Sequence, residues 1–314
     1  MCGIAGILCL RESSNPPTVD ELERMAGALE HRGPDEFGFY RDDYAGLAHS
    51  RLSIIDISTG QQPLCNQDGT LWVTFNGEIF NYVELREELI KCGHQFRTRS
   101  DTEVVVHAYE QWGNKAFERF NGQFAIALWD AKNRSMVFAR DWAGILPLHY
   151  TEFEGRLYFG SEVKAIFASN PNIPREFDPR GLAETFTFWS IVPPQSVYRG
   201  IREVEPGHFR IYRDGQVVDR AYFEPGYPRD RSELLCATIE EAAEAVRSSL
   251  EEATRLRMLR ADVPVGSYLS GGLDSSLVAC LGLKAKGAGF KTFSLRFEDA
   301  EYDETKYQRD MVAH

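Results

Sequence analysis

The chain has no CxxC pair, no excess of basic residues and no long apolar run, and each absence removes a class of protein. Its six cysteines stand scattered at positions 2, 9, 65, 92, 236 and 280, so neither a zinc ribbon nor a disulfide framework is written in it. Lysine and arginine number 35 against 47 aspartates and glutamates, a formal charge of −12, which argues against a general binder of nucleic-acid backbones. Any anionic ligand must then be held by local devices. The longest apolar stretches, such as residues 124–129, fall far short of the ~18 residues that a membrane span needs, and the amino terminus lacks the basic region of a signal peptide. A soluble, cytoplasmic chain with no nucleic-acid and no membrane partner is expected. What is present is a globular composition, 43% hydrophobic and 26% charged, over 314 residues. Against a usual domain of ~100 to 200 residues, that length predicts two domains.

The first 170 residues alternate short apolar strands with amphipathic helices, the pattern of a mixed α and β domain. Strands are expected at residues 3–9, 71–75 and 124–129, and helices at 82–92 and 102–112. Thr18 or Asp20 would cap a further helix that carries Leu22, Met25, Ala26 and Leu29 on one face, and Ser100 or Asp101 would cap the helix at 102–112. Asp68 with Gly69, and Asp214 with Gly215, mark hairpins. Eight of the 14 prolines fall between residues 170 and 231, which places a boundary region there: a first domain over 1–210, a linker over 211–232, and a second domain over 233–314. Leu234, Leu235, Ile239, Val246, Leu250 and Leu256 then recur at helical spacing, as if a new core begins. Residues 263–269 and 291–297 read as strands around a helix at 275–286, one βαβ unit.

Cys2 follows the initiator methionine, so removal of Met1 would leave a thiol and a free α-amine on one residue. An α-amine with a reference pKa of ~7.7 to 8.0 can take the proton of a thiol near ~8.5 without a histidine partner. A cysteine at position two is otherwise an ordinary small buried residue. Four stretches accompany it: HRGPD at 31–35, LAHSRLSIID at 47–56, NGEIFNY at 76–82 and SDTE at 100–103. With MCGIAGI at the start, these resemble the glutamine amidotransferases of the amino-terminal-nucleophile class, specifically the asparagine synthetase branch.

That resemblance implies a four-layer αββα sandwich with Cys2 as nucleophile. It also assigns roles that the chemistry of an amide substrate requires. Arg51 would fork onto the α-carboxylate of glutamine, and Asp101 would accept from its α-ammonium, with Glu78 adding a contact. Asn76, through its side-chain amide, and Gly77, through its backbone N–H, would stabilise the tetrahedral oxyanion. Taken singly, Arg51 could be a surface cation, Asp101 a helix cap, and Asn76 with Gly77 a hairpin turn. His31, Arg32 and Asp35 are expected to organise the loop near the nucleophile, and Arg140 and Asp141 to be structural.

SGGLDSS at 270–276 follows a predicted strand and opens a helix, a context that makes a phosphate site. It is neither a Walker loop nor a dinucleotide fingerprint. It resembles the PP-loop of ATP pyrophosphatases, of the adenine nucleotide α-hydrolase-like α/β class. The resemblance implies ATP and magnesium as cofactors. Ser270, Gly271, Gly272, Ser275 and Ser276 would cradle pyrophosphate, Asp274 would place the metal, and Leu269 and Leu295 would flank the adenosine. Only 38 residues follow Ser276, too few for an open α/β sheet, so this domain is expected to be incomplete. The implied reaction converts ATP, L-aspartate, L-glutamine and water to AMP, diphosphate, L-asparagine and L-glutamate. A related amidotransferase acting on another carboxylate, or a glutaminase or regulatory fragment with an inert ATP half, are the alternatives. A homodimer is left open.

Overall fold

The computed structural model describes residues 1–314 except Leu234 and Ala237, with nothing described of the Arg231 side chain. The chain divides into two compact units, Met1–Pro225 and Gly226–His314. In order, the first carries β1 (Gly3–Cys9), α1 (Val19–Gly27), β2 (Glu36–Arg41), β3 (Ala45–Arg51), β4 (Leu64–Cys65), β5 (Leu71–Ile79), α2 (Tyr82–Lys91) and α3 (Asp101–Trp112). There follow β6 (Gly122–Asp130), β7 (Ser135–Arg140), β8 (His149–Phe153), β9 (Arg156–Gly160), α4 (Val163–Ser169), α5 (Pro179–Phe188), β10 (Arg202–Glu203), β11 (His208–Arg213) and β12 (Gln216–Ala221).

Two six-stranded sheets result, in the orders β10-β8-β9-β1-β3-β2 and β12-β11-β7-β6-β5-β4, and every pairing within them is antiparallel. The inner strands β1, β3, β6 and β7 alternate with period two but are buried on both faces, whereas the edge strands β2 and β12 are largely exposed. On β6, Ala125, Ala127 and Trp129 join Ile4, Leu47 and Phe159 in a core between the sheets, while Phe124, Ile126 and Leu128 face α2 and α3. On β1, Ala5 and Ile7 point the other way, against Leu22 and Met25 of α1 and Ile166 of α4. Three cores between four layers make the αββα sandwich that the motifs implied.

The helices start where their caps lie. Thr18 forms a capping box with Glu21, and Ser100 Oγ accepts the Thr102 N–H at 3.1 Å. The expected boundary at residue 210 is corrected. The hairpin β11–β12 pairs in register with β7, Phe209 opposite Ala139 and Tyr212 opposite Met136, so the second sheet carries the first unit on to Pro225.

The second unit carries α6 (Ile239–Leu259), β13 (Ser267–Tyr268), α7 (Leu273–Lys286), β14 (Thr292–Phe293) and α8 (Thr305–Ala313). β13 and β14 pair in parallel across α7, the expected βαβ unit. Each strand is two residues long instead of the seven read from the apolar runs. The predicted apolar stripe of α6 buries only its C-terminal end. Leu256 and Met258 are covered, whereas Ile239 and Val246 are exposed, and Leu234 lies outside the described residues.

Candidate active site

Pairing of Gly3 with Ser50 sets Cys2 beside the end of β3. There Cys2 Sγ accepts the Leu52 N–H at 3.3 Å and lies 3.6 Å from Leu52 O, to which the thiol donates. Burial pushes the thiol above its ordinary pKa, and the Leu52 amide pulls it partly back. Burial also lowers the pKa of the Met1 amine. The HRGPD turn anchors this segment: Arg32 Nε donates to Cys2 O at 2.9 Å and Nη1 to Glu162 Oε1 at 2.9 Å. Burial would raise the Glu162 pKa, but hydrogen bonds from Arg32, Lys164 and His31 hold it at about 2. Asp35 accepts the Ser53 N–H at 2.7 Å, which ties the same turn to the chain after β3.

Arg51 is buried, and its guanidinium is threaded through a loop of carbonyls. Nη2 donates to Asp56 O at 2.6 Å, and Nη1 to Ile57 O at 3.2 Å and Glu36 Oε2 at 3.1 Å. Asp56 fixes that loop in turn, since its carboxylate accepts the N–H groups of Thr59 and Arg99. The surface-cation reading of Arg51 is therefore excluded by its burial.

Asn76 and Gly77 lie in the middle of β5, opposite Ala125 and Phe124 of β6, and are no hairpin turn. Gly77 has φ of 150°, and a Cβ there would stand 2.1 Å from Gln123 O, so this position admits only glycine. The Asn76 side chain is 0% exposed, and neither Oδ1 nor Nδ2 has a hydrogen-bond partner. An orphaned buried amide is costly unless something else engages it. Asp101, in the first turn of α3, accepts the Ile79 N–H at 3.0 Å. Burial pushes its carboxyl up to about 7 against that bond's pull.

These side chains share one space. Cys2, Arg51, Asn76, Gly77, Glu78 and Asp101 all line one open cleft, with Leu52, Gln62 and Gln123 between them. Its donors, acceptors and nucleophile suit a small zwitterion that carries an amide.

In the second unit, the SGGLDSS loop joins β13 to α7. Ser270 Oγ and Ser275 Oγ are 2.9 Å apart, and Ser270 Oγ accepts the Gly272 N–H at 3.3 Å. Gly271 has φ of 89°, and a Cβ there would meet Tyr307 Cβ at 2.6 Å. Gly272 caps α7 without a side-chain bond, which leaves the helix amides directed outward with Asp274 in the first turn. Leu269 and Leu295 follow β13 and β14, but Leu269 is 2% exposed and Leu295 68%, so only Leu295 presents its side chain to solvent.

Comparison with known proteins gives the same two parts. The profile of the glutamine amidotransferase domain family matches residues 1–223. The chain belongs to that family. The asparagine synthase family matches residues 245–314. Asparagine synthetase [glutamine-hydrolyzing] 1 of Bacillus subtilis is 36% identical over the whole chain, which covers 48% of that enzyme. Amidase chyE of Penicillium rubens is 37% identical over 89% of the chain, which covers 42% of it. The chain thus spans about half the length of the curated relatives it matches. Among solved structures, glutamine phosphoribosylpyrophosphate amidotransferase of B. subtilis complexed with ADP and GMP superposes with a TM-score of 0.52 at 18% identity. The match covers 96% of this chain and 68% of that one, and shows the fold.

Sequence reasoning missed the residues that hold the cleft in shape. Gln62 pairs with Phe75 like an extra strand, its Nε2 donating to Phe75 O at 3.1 Å and its Oε1 accepting Phe75 N–H at 2.7 Å, one residue before Asn76. Glu103 is fully buried and accepts the N–H groups of Arg97 and Thr98, which shapes the turn before Asp101. It stood in the quoted SDTE string, where a buried acid in a first helical turn was the available signal. Arg140 and Asp141 do prove structural. Arg140 donates to the carbonyls of Gly144, Leu146 and Val204, and Asp141 accepts the N–H groups of Phe124, Ala143 and Ile145.

Proposed function

We propose that this chain hydrolyses glutamine at Cys2 and that the ammonia passes to an ATP-activated carboxylate, that of aspartate. The orphaned Asn76 amide facing the cleft of Cys2 carries the reading, because a tetrahedral oxyanion is the partner its Nδ2 lacks. With Met1 removed, the Cys2 α-amine takes the thiol proton and Sγ attacks the side-chain carbonyl carbon of glutamine. The carbonyl oxygen takes the negative charge between Asn76 Nδ2 and the Gly77 N–H. The α-ammonium returns its proton to the departing nitrogen, ammonia leaves, and water cleaves the thioester to glutamate. Substrate ammonium would bind Asp101 and Glu78. Substrate carboxylate would take the place of Glu36 on Arg51, whose remaining bonds to backbone keep the guanidinium aimed.

In the second unit, the open amides of α7 and the left-handed Gly271 fit a pyrophosphate, held by Ser270, Gly271, Gly272, Ser275 and Ser276. Asp274 would hold magnesium, which when bound supplies charge neutralisation to the phosphates. Leu295 would lie against the adenosine. A second reading, an acceptor other than aspartate, is favoured by the similarity to an amidase at 37% identity.

Glutamate release from glutamine without ATP tests the first half. Processed chain is expected to be active, and Cys2→Ala to fall to background. An active Cys2→Ala protein would sink the nucleophile assignment. Aspartate-dependent pyrophosphate release, measured in the protein extended to the length of its relatives, separates the two acceptors.

A further inference from the structure

Away from the cleft, three side chains converge that glutamine chemistry does not use. His94 follows α2, while His107 and Glu110 lie one turn apart on α3. His94 Nδ1 is 3.2 Å from His107 Nδ1, His107 Nδ1 is 3.1 Å from Glu110 Oε2, and His94 Nδ1 is 3.4 Å from that same oxygen. Three ligand atoms at the corners of a nearly equilateral triangle are what a tetrahedral ion needs. With bonds of ~2.0 to 2.1 Å, zinc sets its ligands about 3.3 Å apart. Octahedral magnesium, at ~2.1 Å, sets neighbouring ligands about 3.0 Å apart and favours oxygen over imidazole.

The outer atoms of the three groups are already engaged. His94 Nε2 is 2.9 Å from Gln111 Oε1, His107 Nε2 faces the buried Glu103 carboxylate at 3.7 Å, and Glu110 Oε1 accepts from Asn66 Nδ2 at 3.0 Å. When both rings are neutral and carry their protons on Nε2, toward these acceptors, they present bare lone pairs at Nδ1. Three lone pairs then meet with no proton among them. An extra proton on one ring binds the triangle along one or two edges, whereas a divalent cation engages all three corners. Outer partners that fix tautomer and ring orientation are a regular part of metal sites.

We propose that His94, His107 and Glu110 bind a first-row divalent transition ion, zinc foremost, in tetrahedral geometry with a water in the fourth position. The Glu110 side chain, 34% exposed, leaves that position open to solvent. The ion would staple the turn at 93–100 to α3. That turn gives its N–H groups at Arg97 and Thr98 to Glu103 and at Arg99 to Asp56, and Asp101 follows it, so the ion stiffens a wall of the cleft without touching substrate.

The test uses the whole chain stripped of metal with a chelator. Cobalt(II) is the spectroscopic probe and zinc the affinity probe, titrated against a competing chromophoric chelator. Wild-type chain is expected to take up one equivalent of cobalt with tetrahedral d–d bands and no thiolate charge-transfer band. Zinc should raise its melting temperature. His94→Asn should lose that equivalent and the thermal shift, and Glu110→Gln should bind zinc at least ~10-fold more weakly. Both positions reach solvent, and circular dichroism verifies that the variants fold. Equal uptake by wild type and His94→Asn, a thiolate band showing capture by cysteines, or no uptake would each overturn the proposal in favour of a proton-bridged triad.

Discussion

Strands β6 and β7 place each apolar side chain against another layer: Phe124, Ile126 and Leu128 toward the helices, Ala127, Trp129, Met136 and Phe138 toward the facing sheet. Helix α7 of the second unit does the opposite, leaving Leu273 84% exposed and Leu283 56% exposed. Both regions have helices and strands in the expected order. Local order alone does not make a core, because a strand closes one only when both its faces meet another layer. In Met1–Pro225 two six-stranded sheets supply those faces. In Gly226–His314 two strands of two residues cannot, since a parallel sheet is stable only when covered on both sides. The consequence reaches function. The cleft beside Cys2 is fixed by buried bonds such as Gln62 to Phe75 and Arg51 to Asp56, while the SGGLDSS loop is fixed mainly by its own serine hydroxyls.

The sharpest way to break this contrast is to cut a core. Phe138 is fully buried between the sheets, with the rings of Phe159 and Tyr212 at 4.8 and 6.0 Å, so Phe138→Ala is expected to cost about 3 to 5 kcal/mol in urea unfolding of the first unit. A cost below about 1 kcal/mol would show that the inter-sheet layer does not carry stability. Next in size, Asn76→Ala should lower kcat for glutamine hydrolysis about 100- to 1000-fold with little change in KM. An equal change in KM and none in kcat would place the amide on the ground state instead.

Asp101→Asn should raise the KM for glutamine about 10- to 100-fold, the worth of a charge-assisted bond. Its stability has the opposite sign. Burial holds the Asp101 pKa at about 7, above its ordinary value of 3.8, so the native state binds the proton more tightly than the unfolded one. That contribution is full below the unfolded pKa and is lost as pH rises through 7. The variant should therefore melt higher than the parent at about pH 8 and level with it near about pH 4. Wild-type hydrolysis should also fall as pH drops through 7, because the protonated acid no longer holds an ammonium. The smallest effect belongs to the second unit, where Leu283→Ala should stay within about 0.5 kcal/mol. A loss as large as that of Phe138→Ala would mean that another surface covers α7 in solution.

Most of the cleft was legible as residues but not as an assembly. Cys2, Arg51, Asn76, Gly77, Glu78 and Asp101 were nameable because amide chemistry demands a nucleophile, oxyanion donors and a zwitterion clamp, and the motifs supply each. Gln62, Glu103 and Asp56 were not singled out, since Gln62 and Asp56 bond backbone groups 13 and 43 residues away and Glu103 bonds the turn before its own helix, and no local pattern announces either. The strands at 263–269 and 291–297 were overestimated for a related reason. An apolar run reports the capacity to be buried, and its pairing partners decide how much of it becomes strand. The same limit misplaced the boundary at 210, because the prolines around it lie inside a unit that β7 extends through β11 and β12.

By itself the sequence determined several of the helices and strands in their order, cap candidates that include Thr18 and Ser100, the two-unit organisation and a candidate nucleophile in Cys2, because these depend on periodicity, side-chain chemistry and near neighbours. Tertiary structure alone decided which apolar faces are closed, that the Asn76 amide is left without a partner, that Asp101 is desolvated enough to titrate near neutrality, and that the His94 imidazole meets His107 and Glu110 of α3. Those properties depend on groups far apart in the chain, from His94 and His107 at 13 residues to Ala5 and Gly160 at 155, and only packing sets them.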